Sequence, residues 1–336
     1  MPAILATNYT INRFYVLGAA MWDSGWYAHL AATGLRNPPA IGGSFLSDHM
    51  SLIFVITSLI HQLTPQTSTP IFFAFTQGLW FGLLGLAASL CLRPLLPSLP
   101  AVMLSVLGAA NGISLATIGF PHIEIAISAL ILLILACWAR GYRGIAWMLV
   151  PLLLIVREDG GLHLAIIVGL LAIWRWHLTR SWRAARSEAI LAAVALLGSV
   201  ASLGVQEALF EDGVDQLHQV YLGTPPLAHI DWAFLGHRIY RLGQNRSYIY
   251  VPFLVSLSMA VLRRDSLLAL GALAGVPWVL LALVAYSPIA GELMSYYGFP
   301  LMVGLCWPMV AAHCGLGIGS HAAINHSNIE QLPNDA

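Results

Sequence analysis

Asp23 lies among aromatic residues near the start of the sequence, in the run WDSGWY at residues 22–27. Burial at a membrane boundary raises the proton affinity of a carboxylate, which suits such a group to act as a general base. Asp48 and His49 complete this first cluster. The structural alternative is an aromatic belt at the membrane interface with a helix-capping aspartate. The spacing alone leaves both interpretations open.

A second cluster is the run FPHIE at residues 120–124, which contains His122 and Glu124. A glutamate in the first turn of a helix complements the helix dipole, which would be a structural role. Ionisable side chains at a membrane edge are nevertheless rare and usually functional. Glu124 is therefore a candidate catalytic residue, and His122 is a candidate for positioning an acceptor or assisting protonation.

The third cluster joins Arg157, Glu158 and Asp159 between the apolar runs 147–156 and 162–174. An arginine can bind a phosphate group through two parallel hydrogen bonds, and neighbouring carboxylates can hold the arginine or a divalent cation. The alternative is a solvated hairpin turn. No metal-ligand spacing stands out elsewhere in the sequence, so a divalent cation held by Glu158 or Asp159 is the one cofactor that we consider.

The elements that must position these clusters are membrane helices. Hydrophobic residues make up 58% of the 336-residue chain, charged residues only 9%, and the mean hydropathy is +0.77. A water-soluble protein of this size needs a more polar surface. The fifteen acidic and fifteen basic residues cancel, which gives no indication of a nucleic-acid partner. We predict an all-α, polytopic protein of the plasma (inner) membrane.

A membrane-crossing helix needs about twenty mostly apolar residues. The sequence predicts nine such spans, at 70–91, 99–118, 123–139, 144–157, 161–176, 188–206, 247–262, 266–286 and 298–316. The shorter apolar run Met50–Leu63 is predicted to be a juxtamembrane helix. Residues 1–20 contain no predicted span. We expect a single transmembrane domain over 1–320, with a first outer loop at 21–69, an outer polar loop at 206–246 and a disordered cytoplasmic tail at 321–336.

The arginines indicate the orientation of the chain, because short cytoplasmic loops are enriched in basic residues. With nine spans, one side receives nine arginines in short loops, namely Arg93, Arg140, Arg143, Arg175, Arg180, Arg183, Arg186, Arg263 and Arg264. That side is predicted to be cytoplasmic, with the amino terminus outside. All three clusters then lie on the outer face, where Tyr296 and Tyr297 precede the last span.

These motifs together resemble a bacterial membrane protein family of unknown function, number 2079, over most of residues 14–305. That family shows an aspartate-glycine-aromatic motif, a histidine before a juxtamembrane helix, and a phenylalanine-histidine-proline-glutamate motif, which FPHIE matches in altered order. Its lysine-glutamate-aspartate motif is matched by the triplet at 157–159, with arginine in place of lysine. Tyr296 and Tyr297 fall where the family has a histidine-tyrosine pair.

The family is similar to the GT-C glycosyltransferases, which take sugars from polyprenyl-phosphate carriers in the membrane. The resemblance implies a GT-C-like fold with Asp23 as general base, Glu124 as a second acidic residue and Arg157 paired with the donor phosphate. Asp48, His49, His122, Tyr296 and Tyr297 would line the donor and acceptor sites. The family has a span ahead of the aspartate motif, and we expect this chain to lack it.

Two alternatives to glycosyl transfer stay open. A membrane transporter would require polar groups near the middle of its spans, whereas the charged residues here collect at one face. An inactive scaffold is the other alternative, because of the missing first span. For Arg157→Gln, the predicted change in stability is within about 1 kcal/mol, as for a surface substitution. The same change is expected to abolish donor binding, which Arg157→Lys would retain in part.

Overall fold

A computed structural model describes residues 1–18, 23–38, 43–210 and 217–312 of the chain. These ranges contain helices and no β-strand, in agreement with the predicted all-α class. The α-helices are α1 Pro2–Tyr15, α2 Asp23–Thr33, α3 Ile53–Gln62, α4 Thr69–Leu92, α5 Ser98–Ala109, α6 Gly112–Gly119, α7 Ile125–Ala139, α8 Arg143–Leu154, α9 Gly160–Thr179, α10 Trp182–Leu209, α11 Trp232–Asn245, α12 Ser247–Arg263, α13 Ser266–Val284, α14 Pro288–Gly291 and α15 over 299–312. Short 3₁₀ turns cover Phe45–Ser47 and Ser295–Gly298, and a π-helical turn covers Leu217–Leu222. The predicted tail at 321–336 lies outside the described residues.

Five helical segments of the described chain are long and apolar enough to cross a membrane. They are Thr69–Leu92, Gly160–Thr179, Trp182–Leu209, Ser266–Val284 and Pro288–Ala312. The bent pair of α5 and α6 makes a sixth if it counts as one span. The chain is therefore a helical protein whose long apolar segments indicate a place in a membrane.

The predicted count of nine spans remains a prediction, because the other helices on the predicted spans are short. Helix α8 has 12 residues and α7 has 15. At 1.5 Å per residue they reach about 18 and 22 Å, less than the roughly 30 Å of a hydrocarbon core. Helix α3, with 10 residues, confirms a helix within the predicted juxtamembrane run.

Helix α7 forms the centre of the packed core. Every residue from Ile125 to Trp138 is buried, which explains why its sequence is apolar on all sides. It packs against α4, α8 and α9, and the hydroxyl of Ser128 donates to the backbone oxygen of Phe299 on α15 at 3.0 Å. A helix surrounded in this way holds Glu124, which immediately precedes it, at a fixed place in the protein.

The predicted straight span at 99–118 is instead two helices that meet at an angle of 50°. Asn111 causes the break, because its side-chain oxygen accepts hydrogen bonds from the backbone nitrogens of Ile113 and Ser114 at 2.9 and 3.0 Å. This cap begins a new helix and satisfies donors that would otherwise be unpaired. Hydropathy is insensitive to the break, since apolar residues continue on both sides of it.

Helix α1 was not predicted from the sequence. It packs against α4 along the face that carries Gly78 and Gly82. A side chain added at Gly78 would place its Cβ 2.0 Å from the hydroxyl oxygen of Thr7, so this approach of the two helices requires glycine. The polar residues in α1 hide its helical character in a search for apolar spans.

Candidate functional site

Arg157 lies at the centre of a buried polar network, in the turn between α8 and α9. Its Nη1 donates to Oε1 of Glu124 at 3.1 Å, and its Nε donates to Oδ1 of Asp159 at 2.7 Å. Its Nη2 pairs with the other oxygen of Asp159. The guanidinium carbon lies 5.2 Å from the ring centre of Phe299. The guanidinium is thus held by two carboxylates and an aromatic ring.

The folding of the chain around Arg157 has a simple electrostatic basis. Glu124 directly precedes α7, and Asp159 directly precedes α9. A carboxylate at the amino end of a helix is stabilised by the helix dipole. Arg157 bridges these two helix ends. In addition, the backbone nitrogen of Ile53 donates to the backbone oxygen of Ile155 at 2.8 Å, and this hydrogen bond attaches the start of α3 to the turn that holds Arg157.

Two histidines flank this network. The Nδ1 atom of His122 lies 3.3 Å from Oε2 of Glu124, and its ring stacks on Tyr296 with 3.8 Å between ring centres. On the other side, Nε2 of His163 lies 3.3 Å from Oδ2 of Asp159. Burial alone would raise the pKa of Asp159, but Arg157 and then His163 lower that pKa well below its usual range. Asp159 is therefore a stable anion at any ordinary pH.

Glu158 serves a different partner from the one predicted. Its Oε1 lies 2.9 Å from Nδ1 of His49, and its Oε2 accepts from the backbone nitrogen of Met50 at 2.9 Å. Both oxygens of Glu158 are bonded to the segment before α3, so Glu158 does not hydrogen bond to Arg157, and a divalent cation at Glu158 stays a prediction. Glu158 thus fixes the first outer loop to the turn before α9.

The aromatic residues of α2 form the wall between the first cluster and the network. Tyr27 is buried against Phe45 and Phe54, and its hydroxyl donates to Oε1 of Glu124 at 3.4 Å. Burial raises the pKa of Tyr27, and the charges of Glu124 and, more weakly, Asp23 raise it further. Asp23 therefore lies within electrostatic range of the buried network, although it does not touch it.

Asp23 and Asp48 differ from the other acidic residues of the three clusters, because neither forms a hydrogen bond or ion pair with the described side chains. Asp23 is exposed at the beginning of α2. Asp48 is half-buried, and this burial raises its pKa although His49 acts in the opposite direction. The carboxylates of Glu124, Glu158 and Asp159 are already bonded. In the described part of the chain, Asp23 and Asp48 are therefore the two carboxylates of the three clusters without a side-chain partner.

The structure brings most of the predicted site residues together. His122, Glu124, Arg157, Asp159 and Tyr296 form one contact network, and Tyr297 stacks on Tyr296 with 4.5 Å between ring centres. His49 and Glu158 form a neighbouring pair, and Asp23 and Asp48 lie on the elements that cover the network. Trp22, next to Asp23 in the first motif, lies outside the described residues.

Sequence reasoning missed Gln77 and Phe299. The side-chain nitrogen of Gln77 donates to the backbone oxygen of His122 at 3.1 Å from within α4, and Gln77 is fully buried. A polar residue inside an apolar span is a usable signal, because such residues are rare and usually have a partner. Phe299 gave no signal, since one phenylalanine in an apolar segment resembles any other.

In the described ranges, no three or more His, Cys, Asp or Glu side chains are arranged to hold a metal ion. Both oxygens of Asp159 face the guanidinium, and Oε1 of Glu124 is shared between Arg157 and Tyr27. The carboxylates of the network therefore serve Arg157. This agrees with the predicted role of Asp159 in orienting that side chain.

Comparisons with family models, with curated proteins and with solved structures each gave no match to this chain. The resemblance to the bacterial membrane family and to the GT-C enzymes accordingly rests on the motifs described above.

Proposed function

We propose that this protein is a membrane glycosyltransferase of the GT-C type, which transfers a sugar from a polyprenyl-phosphate carrier at the outer face of the membrane. One observation carries the proposal. The guanidinium of Arg157 is fixed by its partners, and two unpaired carboxylates, Asp23 and Asp48, lie on segments that contact the site through Tyr27 and His49. Transfer of a sugar from a phosphate needs these two functions, a cation at the leaving group and a base at the attacking hydroxyl.

Arg157 is the group proposed to bind the donor phosphate. A guanidinium has five N–H donors, and three of those of Arg157 are used by Glu124 and Asp159. Two donors remain for a phosphate oxygen. The surrounding carboxylates and the ring of Phe299 fix the direction of these donors before any ligand arrives, which lowers the entropic cost of binding.

The proposed reaction is a displacement at the anomeric carbon of the sugar. Asp23 accepts the proton of the acceptor hydroxyl as its oxygen bonds to that carbon. The bond from carbon to phosphate oxygen breaks, and its electron pair leaves with the lipid phosphate, where Arg157 stabilises the charge. Asp48 is the second candidate base, because burial raises the pKa of its carboxyl group and so makes its carboxylate a stronger base. General base assistance is typically worth about 10²–10⁴-fold in rate.

Glu124 receives a positioning role in this proposal instead of a catalytic one. Its Oε1 accepts from both Arg157 and Tyr27, and its side chain is only 1% exposed. A carboxylate so enclosed cannot reach a substrate hydroxyl without breaking these bonds. Its charge instead holds Arg157 in place. The rings of His122 and Tyr297 both stack on Tyr296, which leaves the ring of Tyr297 as the aromatic surface proposed to contact a sugar.

An apolar groove gives the lipid chain of the donor a place to bind. Its volume is about 330 Å³, and it runs between α12 and α13 with Leu254 and Val276 on its walls. Leu293 and Leu301 also line it, and they flank the two site tyrosines in sequence. Arg246 lines the groove, and its guanidinium donates to the backbone oxygens of Asn245 and Glu292. No carboxylate of the described chain forms an ion pair with this guanidinium.

A transporter is the second candidate, and the break between α5 and α6 favours it. Transporters form binding sites where a helix is interrupted within the membrane. Here the break is capped by Asn111, and the charged network lies instead at the turns that precede α7 and α9. This position supports chemistry at a membrane face over passage through the membrane.

The experiment is a donor assay on the purified protein in liposomes. A panel of polyprenyl-phosphate sugars, radiolabelled in the lipid, is added with water as the acceptor hydroxyl, and both bound donor and released polyprenyl phosphate are measured. We expect binding and release for at least one donor, loss of binding in Arg157→Gln and partial binding in Arg157→Lys. Accumulation of intact sugar inside the liposomes would favour the transporter. Undiminished donor binding by a folded Arg157→Gln protein would contradict the proposed role of this residue.

A further inference from the structure

A second groove lies between α9 and α10, toward their connected ends. Small residues form its floor, among them Gly169, Ala172 and Ala192, and its volume is about 310 Å³. Trp176 and Trp182 form its rim and are 47% and 59% exposed. Because the floor residues have little or no side chain, the two helices leave a slot wide enough for a hydrocarbon chain.

Exposed basic residues lie close in sequence to the rim of this groove. Arg180 lies between the two rim tryptophans, Arg183 follows Trp182, and Arg186 lies one turn further along α10. None of the three forms an ion pair with a described residue. Their neighbour Arg175 differs, since its Nη1 lies 2.6 Å from Oε1 of the buried Glu188. Three positive charges are thus available next to an apolar slot.

We propose that this groove binds an anionic phospholipid from the leaflet that these arginines face. An acyl chain would lie between α9 and α10, and the phosphate would lie at Arg180, Arg183 and Arg186. Tryptophan is enriched at the depth of lipid headgroups, which places the rim at the correct level for this ligand. Basic pockets between membrane helices bind phosphate-bearing lipid headgroups by the same combination of charge and apolar contact. The site is independent of the proposed glycosyl transfer.

The charge of the lipid is the discriminating feature. Each arginine near a membrane surface contributes roughly a fivefold gain in affinity for an anionic lipid. A zwitterionic lipid of the same chain length gains far less from these side chains, although it fills the slot equally well. The proposal therefore predicts selection by headgroup and not by chain.

The test is native mass spectrometry of the purified full chain with phosphatidylglycerol or phosphatidylcholine. The double variant Arg183→Gln, Arg186→Gln is expected to lose retention of phosphatidylglycerol by roughly 25-fold, from two arginines at about fivefold each. The matched control is Arg263→Gln, Arg264→Gln. That pair lies on the same face, because Nε1 of Trp174 at the end of α9 donates to the hydroxyl of Ser266 at 3.0 Å.

A second variant tests the slot without changing the charge. A Cβ added at Gly169 would meet only the Cβ of Ala192, at 4.0 Å, which is ordinary van der Waals contact. Gly169→Ala is therefore the control that should fold and keep the lipid, and Gly169→Leu is the variant whose longer side chain fills the floor. It should lose the lipid while all arginines remain. Equal retention of the two lipids, or retention by the double arginine variant or by Gly169→Leu, would overturn the proposal. If the wild-type protein forms a dimer without lipid and Gly169→Leu dissociates that dimer, a second copy of the chain occupies the groove. That result would also overturn the proposal.

Discussion

Replacing Arg157 by glutamine is expected to destabilise the protein by about 3 kcal/mol, well beyond the effect predicted from the sequence. The change removes the hydrogen bonds to Glu124 and Asp159 and leaves their two negative charges facing each other. Breaking a buried ion pair from one side costs about 3–5 kcal/mol. We place the value at the lower end, because the Asp159 side chain is 23% exposed and water can reach it.

The assay is unfolding of the purified variants in one detergent, with a double-mutant cycle on Arg157 and Glu124. Removing both charged partners leaves no unpaired charge between them, so Glu124→Gln should recover part of the loss caused by Arg157→Gln. A coupling free energy of about 1–3 kcal/mol is expected for groups in one network. Arg93→Gln is the matched control, because that side chain is exposed and forms no ion pair with a described residue, so its loss should cost less than about 1 kcal/mol.

A loss below about 1 kcal/mol for Arg157→Gln would refute this reasoning. It would mean that water solvates Glu124 and Asp159 as soon as the guanidinium is removed, as in an exposed hairpin turn. A large loss without coupling to Glu124 would have a different meaning. The stabilisation would then come from the pairing of Arg157 with Asp159 alone. The hydrogen bond from Arg157 to Glu124, which links the ends of α7 and α9, would not contribute to stability.

Three further predictions concern single residues. The wild-type protein should have a higher Tm than Asp159→Asn from neutral pH down to about pH 4, and this difference should disappear in stronger acid. The reason is that the pKa of Asp159 is lowered in the folded protein, so the stabilisation from its charge is lost only as pH falls through that lowered pKa. Gly161→Ala should cost about 1–3 kcal/mol in unfolding, since its Cβ would lie 2.1 Å from the backbone oxygen of Ala195, whereas Gly169→Ala should not destabilise. Asn111→Ala should cost about 1 kcal/mol by removing the cap of α6.

Several helices were predictable because they are apolar runs that end at an arginine, as α4 does at Arg93, α7 at Arg140 and α9 at Arg180. Thr69–Leu92 and Gly160–Thr179 begin within one residue of their predicted positions at 70 and 161. The break at Asn111 was not predictable from hydropathy, since a capping residue differs from any other asparagine only in its hydrogen bonds. Helix α1 was missed because it is amphipathic and packs through glycines that lie on another helix.

The site was predictable as a collection of residues but not as a set of bonds. Motif spacing and the alternation of spans placed Glu124, Arg157 and Asp159 on one predicted face. Motif spacing could not predict that Glu158 bonds to His49 while its neighbour Asp159 bonds to Arg157, because consecutive side chains in a turn point in different directions. Which carboxylate pairs with which cation depends on tertiary packing. For the same reason, the sequence could not show that Glu124 is bonded to Arg157 while Asp23 has no side-chain partner.

The most direct test of glycosyl transfer is single-turnover release of polyprenyl phosphate by Asp23→Asn, on a donor that the wild-type protein turns over. The asparagine variant keeps the size of the side chain and removes its ability to accept a proton. We predict unchanged donor binding, because Arg157 is intact, together with a loss of release of about 10²-fold or more. Release at the wild-type rate by the double variant Asp23→Asn, Asp48→Asn would contradict the account, since no unpaired carboxylate described at the site would then remain to act as the base.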